Sequence, residues 1–167
     1  YTGDGIMALF GAPIAHEDHA QRACHAALHL RDALKRYAHE LRQSRGLDFS
    51  ARMGINSGAV VVGKIGADLR MDYTAQGHTV GLAQRMEQLA AAHAICVSEA
   101  TAKAVDGYFA LHDLGTTPIK GASEPVRVFE LEGVSGQRTR LEVGRARGLT
   151  RFVGRDAEMD VLEAALA

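Results

Sequence analysis

From Glu17 onward, "EDHAQRACHAALHLRDALKRYAHEL" sets Ala20, Ala23, Cys24, Ala27, Leu30, Leu34 and Leu41 at helical spacing. A stripe of that length predicts one long amphipathic helix, with Glu17 and Asp18 at the end where negative charge suits the helix dipole. Whatever else the chain forms must cover this apolar face.

The rest divides into shorter pieces. "GDGIMALFGAP" predicts a short buried strand over 6–10 behind a tight glycine turn, with Asp4 at the tip of a hairpin. "LDFSARMGINSGAVVVGKIG" predicts two strands, 49–55 and 59–65, joined through "NSG", which has hairpin composition. In "GHTVGLAQRMEQLAAA", Val80, Ala83, Met86, Leu89 and Ala90 form one helical stripe headed by His78 and Thr79. "AICV", a short helix over 99–105 and strands over 108–114 and 126–131 complete the series. Strands and helices alternate irregularly, so the expected class is α+β with a mainly antiparallel sheet.

After Leu131 the composition changes. "EGVSGQRTRLEVGRARGLT" is rich in Gly and Arg without apolar periodicity, and "RFVGRDAEMDVLEAALA" begins a new helix. The expected division is a first domain over 1–131, a linker over 132–150 and the start of a second domain over 151–167.

With 47% hydrophobic and 23% charged residues, the chain has the makings of a real core, and its net charge of −1 names no polyanionic partner. Only Cys24 and Cys96 occur, without a CxxC pair, which fits two small core residues in a reducing, intracellular compartment. No apolar run approaches the roughly 18 to 20 residues that span a bilayer, so no membrane segment is expected here. The arginines between 138 and 155 lack interleaved aromatics and read as an exposed basic linker, not a nucleic-acid surface. His16, His19, His25 and His29 share helical spacing but not the HExxH pattern, and read as solvated helix-face residues.

Asp4 alone has two readings. An aspartate beside glycine commonly bonds its own backbone in a turn. Its company includes "GINSG", "GKIG" and "GHTVGLAQRM", glycine-rich turns of the kind whose backbone N–H groups approach phosphate oxygens. Neither a Walker lysine motif nor GxGxxG is present.

Taken in order, "GDGIMALFGAP", "EDHAQRACHAAL", "RMGINSGAVVVGKIG", "DYTAQGHTVGLAQRME", "ICVSEAT" and "PIKGASEPVRVFEL" resemble the class III adenylate/guanylate cyclase catalytic domain. The resemblance runs from Tyr1 to about Leu131. It implies a ferredoxin-like cyclase fold that acts as a homodimer, makes 3′,5′-cyclic AMP and pyrophosphate from ATP, uses two Mg²⁺ or Mn²⁺ ions per site and works in the cytoplasm. The closing "RGLTRFVGRDAEMDVLEAAL" resembles the entry to an ATPase module. The GGDEF-type signature of diguanylate cyclases does not occur.

By the same resemblance, Asp4 is a metal ligand whose partner aspartate comes from a preceding first strand upstream of Tyr1. That strand is therefore expected to be missing, and this piece by itself to turn over little or nothing. Arg85 matches the arginine that steadies phosphate charge, a task suited to its planar donors. Thr74 occupies the purine-reading position and points to ATP, although a strand threonine also satisfies β-propensity. Lys120 is a candidate triphosphate contact, or else an exposed loop lysine.

Gly81 departs from the family pattern, which usually has Asn there to hold the ribose. Losing one oriented donor costs roughly 1 to 3 kcal/mol, and comparable donors change rates by about 10² to 10³. Glycine within a helix also costs roughly 1 kcal/mol against alanine, so close packing or a rearranged ribose contact is expected at Gly81. The alternative function is a catalytically weak or inactive cyclase-like module that dimerises and controls a downstream ATPase.

Overall fold

The computed structural model describes residues 5–12, 14–65, 72–76, 78–119, 124–136, 144, 145, 148 and 156–166, with 61–65 and 72–76 as backbone. The chain divides into two units, Tyr1–Gly136 and Gln137–Ala167. In the first, α1 (His19–Arg45) is followed by β1 (Met53–Ile55), β2 (Val61–Ile65), β3 (Asp72–Gln76) and α2 (His78–Leu89). Then come β4 (Ile95–Ser98), α3 (Glu99–Ala104), β5 (Phe109–Thr117) and β6 (Val126–Val134). In the second unit, α4 (Asp156–Leu166) carries Asp156 and Glu158 in its first turn.

The long helix forms as its periodicity demands. It ends at Gly46, whose φ of 64° suits a left-handed cap, and the Gly46 N–H donates to the Arg42 carbonyl at 3.0 Å. Ala20, Ala23 and Cys24 are buried as expected, but the next buried residue is Leu28 and not Leu30, which is 50% exposed. Four residues past Cys24 return the side chain to the same face; two more turn it by about 200° toward solvent. Leu89 on α2 is similarly displaced from its expected stripe to an exposed position, whereas Met86 is fully buried.

A four-stranded sheet runs in the order β1-β4-β6-β5. It is mixed, not mainly antiparallel as the sequence led us to expect. β1 pairs parallel with β4, Met53 opposite Ile95 and Ile55 opposite Val97, whereas β4/β6 and β5/β6 are antiparallel. The chain between β1 and β4 contains β2, β3 and α2, a crossover long enough to bring β4 back in the same direction. The expected hairpin through "NSG" does not form: β1 belongs to this sheet and β2 pairs with β3, from Val61 opposite Gln76 to Ile65 opposite Asp72. Residues 6–9 form no strand either, and Ile6 is 79% exposed. An apolar run becomes a strand only where a ladder accepts it.

β4 is buried along its whole length, which divides the core in two. Ile95 and Val97 pack with Ala20, Cys24 and Leu28 of α1, Ala102 of α3, and Phe109 and Leu131. Cys96 points to the opposite face and joins Met86, Ala90, Ala94, Ile119 and Val128. Burying each large side chain such as Met86, Ile95 or Leu131 is worth about 1.5 to 3 kcal/mol. Cys24 and Cys96 are both buried free thiols, in keeping with small core residues. Arg31 ties α1 to β6, donating through Nη1 to the Glu132 carbonyl at 3.0 Å and the Leu131 carbonyl at 3.4 Å.

Candidate functional site

Two predicted site residues, Gly81 and Arg85, lie on α2 with the i, i+4 spacing that puts side chains on one helix face. Met86 turns the opposite way into the core. Gly81 is exposed, and a Cβ built there meets no heavy atom within 4 Å. Close packing, expected as one reason for glycine at this position, is therefore not the reason. The Arg85 side chain is half-buried, and its Nη1 donates to Gln88 Oε1 at 2.6 Å.

What seats α2 was not read from the sequence. A Cβ on Gly54 would lie 2.1 Å from the Glu87 nitrogen and 2.3 Å from the Ala83 carbonyl oxygen, so β1 and α2 touch backbone to backbone. Gly58 makes room for Thr79, whose Oγ1 would be 2.8 Å from a Cβ there. Thr79 Oγ1 donates to the Ala59 carbonyl at 2.7 Å, and Asn56 Nδ2 donates to the Thr79 carbonyl at 2.8 Å. Glycine inside a strand is the sign that would have indicated this close approach. The glycines at 54 and 58 in "GINSG", expected in a phosphate-approaching turn, serve helix packing in this structure.

Behind the Asn56 turn is a buried hydroxyl cluster. Ser98, which caps α3, is 2% exposed and donates through Oγ to Asn56 Oδ1 at 2.5 Å. It also accepts from the Thr101 N–H at 3.4 Å, and Thr101 Oγ1 lies 3.0 Å from Ser57 Oγ. Among the described residues, no buried side-chain nitrogen or oxygen lacks a partner.

The remaining predicted residues are placed less fully. Thr74 lies on β3 opposite Gly63, two residues before the strand ends at Gln76. Asp4 and Lys120 lie outside the described residues, although Ile119, next to Lys120, is buried with Met86 of α2. The histidines of α1 go their own ways: the His25 ring packs edge-on against Phe109 at 4.8 Å, and His19 Nδ1 meets the His16 carbonyl at 2.9 Å. Among the described residues no three His, Cys, Asp or Glu side chains gather as a metal-binding group. A concavity of about 410 Å³ lined by Phe10, Ile14, His16 and Arg22, among others, includes none of the predicted site residues.

Electrostatic perturbation is concentrated elsewhere. Arg127 bonds Asp113 and holds its carboxyl below the usual range, with the Gly115 N–H assisting. Lys103 does the same to Glu99 at 2.8 Å. These pairs are exposed, and such pairs contribute little to stability.

Residues 1–133 match the family described as the adenylate and guanylate cyclase catalytic domain. The chain belongs to that family. This cyclase-family chain is 33% identical over 148 residues to Adenylate cyclase 1 of Rhizobium meliloti (strain 1021), covering 87% of the chain and 22% of that protein. It is 36% identical over 137 residues to Soluble guanylate cyclase 89Da of Drosophila melanogaster, covering 81% of the chain and 19% of the relative. The cyclase fold is equally evident in three dimensions. The adenylyl cyclase CyaB from P. aeruginosa superposes with a TM-score of 0.68 at 32% identity, over 76% of this chain and 66% of that one. The guanylyl cyclase Cya2 does so with a TM-score of 0.71 at 34% identity, over 81% and 69%. The family match takes in Asp4, Thr74, Gly81, Arg85 and Lys120, and its end falls within β6. The second unit lies beyond it. Among the described residues, no helix of this cyclase-family chain is long and apolar enough to cross a membrane.

Proposed function

We propose that this domain is an adenylate cyclase, working as a homodimer, that closes ATP to 3′,5′-cyclic AMP and releases pyrophosphate. The 3′-hydroxyl oxygen forms the new bond to the α-phosphorus, the bond from that phosphorus to the bridging oxygen breaks, and the hydroxyl proton passes to solvent. Asp4, with the partner aspartate that the resemblance implies and the triphosphate, would hold two Mg²⁺ or Mn²⁺ ions, which would supply Lewis-acid polarisation at the α-phosphate and offset the charge of departing pyrophosphate.

The reading is supported above all by Arg85 and Gly81 standing one turn apart on one face of a helix that is fixed to the sheet through Gly54. From there the Arg85 guanidinium exchanges Gln88 for phosphate oxygens as charge gathers on them. Lys120 adds a second positive charge to the triphosphate. Thr74 accepts from the adenine amino group, which makes ATP the substrate, although relatives of both specificities match the chain. Residues 151–167 begin an ATPase module that the cyclase domain regulates or accompanies.

The open space at Gly81 favours a second reading, in which the ribose has no side-chain donor and the domain binds nucleotide and dimerises with little turnover. Cyclic nucleotide formation by the full-length protein from ATP and from GTP, with Mg²⁺ and with Mn²⁺, decides between them. The enzyme reading expects turnover that prefers ATP and falls about 10²-fold or more in Asp4→Ala. A rate unchanged by that substitution removes Asp4 from the mechanism.

A further inference from the structure

We propose that Asn56 fixes the position of α2 along its own axis, and through the helix the positions of Gly81 and Arg85. Its side chain acts through α2 and does not itself reach the substrate, so it is a positioning residue. The argument begins with what the other contacts leave undetermined. The backbone approach at Gly54 sets how deeply the middle of α2 sinks onto β1. A contact between two smooth backbones resists separation but not sliding, whereas a hydrogen bond is directional and weakens within a few tenths of an ångström. The bonds of that kind between the Asn56–Ala59 turn and α2 are Asn56 Nδ2 to the Thr79 carbonyl, 2.8 Å, and Thr79 Oγ1 to the Ala59 carbonyl, 2.7 Å. Both act on the first turn of α2, which begins at His78.

The amide's orientation is set at the Thr79 carbonyl, which can only accept, so Nδ2 faces it and Oδ1 is left to accept from Ser98. The Ser98 hydroxyl has a single proton, and its oxygen already accepts from the Thr101 N–H at the start of α3. With Nδ2 on the Thr79 carbonyl, that proton goes to Asn56 Oδ1 at 2.5 Å. Ser98 and Thr101 are 2% and 0% exposed, which keeps the Ser98 end of the link dry. The buried cap of α3 is thereby linked through one carboxamide to the first turn of α2. A helix moves as a unit, and a misplacement of about 1 Å at a reacting centre costs up to about 10²-fold in rate. The functional half of this inference rests on Arg85 contacting phosphate; the structural half does not.

The substitution Asn56→Asp tests it with no change of shape. The carboxylate has no proton for the Thr79 carbonyl, but the carboxylic acid does, and the half-buried site beside that carbonyl raises the pH at which the acid form prevails, against the Ser98 hydroxyl, which favours the carboxylate. Hydrogen-exchange protection in α2, relative to wild type at the same pH, is expected to fall about tenfold at about pH 8 and to recover at about pH 5.5. In Asn56→Ala it is expected to fall at both. In Ser98→Ala, which keeps the Nδ2 bond but removes the hydroxyl that holds Oδ1, the expected fall is smaller and the same at both. Other charged groups on the packed elements are Arg52, bonded to Glu87 at 3.1 Å, Glu99, bonded to Lys103, and His78. Taking each value relative to wild type cancels their own titration.

Wild-type protection of α2 in Asn56→Asp at the higher pH, or a loss that acid does not reverse, overturns the proposal. If that variant does not fold, Asn56→Ala and Ser98→Ala decide: loosening confined to α2 and α3, with α1 unchanged, supports it, and unchanged α2 overturns it. Turnover is measured with the same substitutions in the full-length protein. A kcat that follows α2 protection, with KM changed less than about threefold, upholds the role of Arg85 as well. A kcat indifferent to a loosened α2 leaves the helix pinned by Asn56 and overturns the phosphate-binding reading of Arg85 instead.

Discussion

Gly54 and Ala83 meet where β1 crosses α2: a Cβ on Gly54 would stand 2.3 Å from the Ala83 carbonyl oxygen, with the Glu87 nitrogen 2.1 Å away. All the obstructing atoms named there are backbone, so no rotamer change relieves them. Gly54→Ala should therefore push α2 off the sheet, at a cost of about 3 kcal/mol or more. A denaturant melt measures it. A loss below about 1 kcal/mol would show that the strand and helix are not in backbone contact.

The opposite outcome is expected on α2 itself, at Gly81. No atom lies within 4 Å of a Cβ there, so Gly81→Asn should fold normally and gain a few tenths of a kcal/mol in helix propensity. If the ribose lacks a donor, turnover should rise by about 10-fold or more. Equal turnover would show that another group already serves the ribose, and the comparison is a direct assay of cyclic nucleotide.

Arg85 bonds only Gln88 among the hydrogen bonds described for its side chain, at the helix surface. Arg85→Ala should accordingly leave the melting temperature nearly unchanged while lowering kcat about 10²-fold. Arg85→Lys should recover part of that loss, because it keeps the charge and forfeits the planar pair of donors. A variant that loses stability but keeps its rate would make Arg85 a structural residue.

Cys24 is fully buried between α1 and the sheet, and loss of hydration pushes its thiol from 9.0 up to about 12. The folded value lies above the unfolded one, so the contribution of this group to stability is complete below about pH 9 and is lost as pH rises toward 12. Alkylation at neutral pH should be slow in the native protein and should accelerate with unfolding. Rapid labelling of Cys24 without loss of structure would contradict its burial.

Helices were legible because their bonds are local. The spacing in "HAQRACHAALHLRDAL" was enough to place α1, but of its expected stripe only Ala20, Ala23 and Cys24 are buried; Ala27, Leu34 and Leu41 are half-buried, and Leu28 takes the place of Leu30. The strands were found but mispaired. "NSG" has hairpin composition, yet Asn56 bonds Thr79 and Ser98, and β1 pairs with β4, whose residues lie about forty positions on. Of the candidate site, Gly81 and Arg85 were legible as positions in a motif. Asn56, Gly54 and Ser98 were not, because each acts on a segment remote in sequence.

By itself, then, the sequence determined the two long helices, the apolar runs that become strands, and the order of motifs by which the chain is placed among cyclases, since all of these are written in neighbouring residues. Tertiary structure alone decided that the sheet is mixed, that Gly54 admits a helix backbone and that Asn56 faces the first turn of α2. Those outcomes depend on which distant groups meet, and no local spacing encodes the partner of an unpaired strand edge or a side-chain amide.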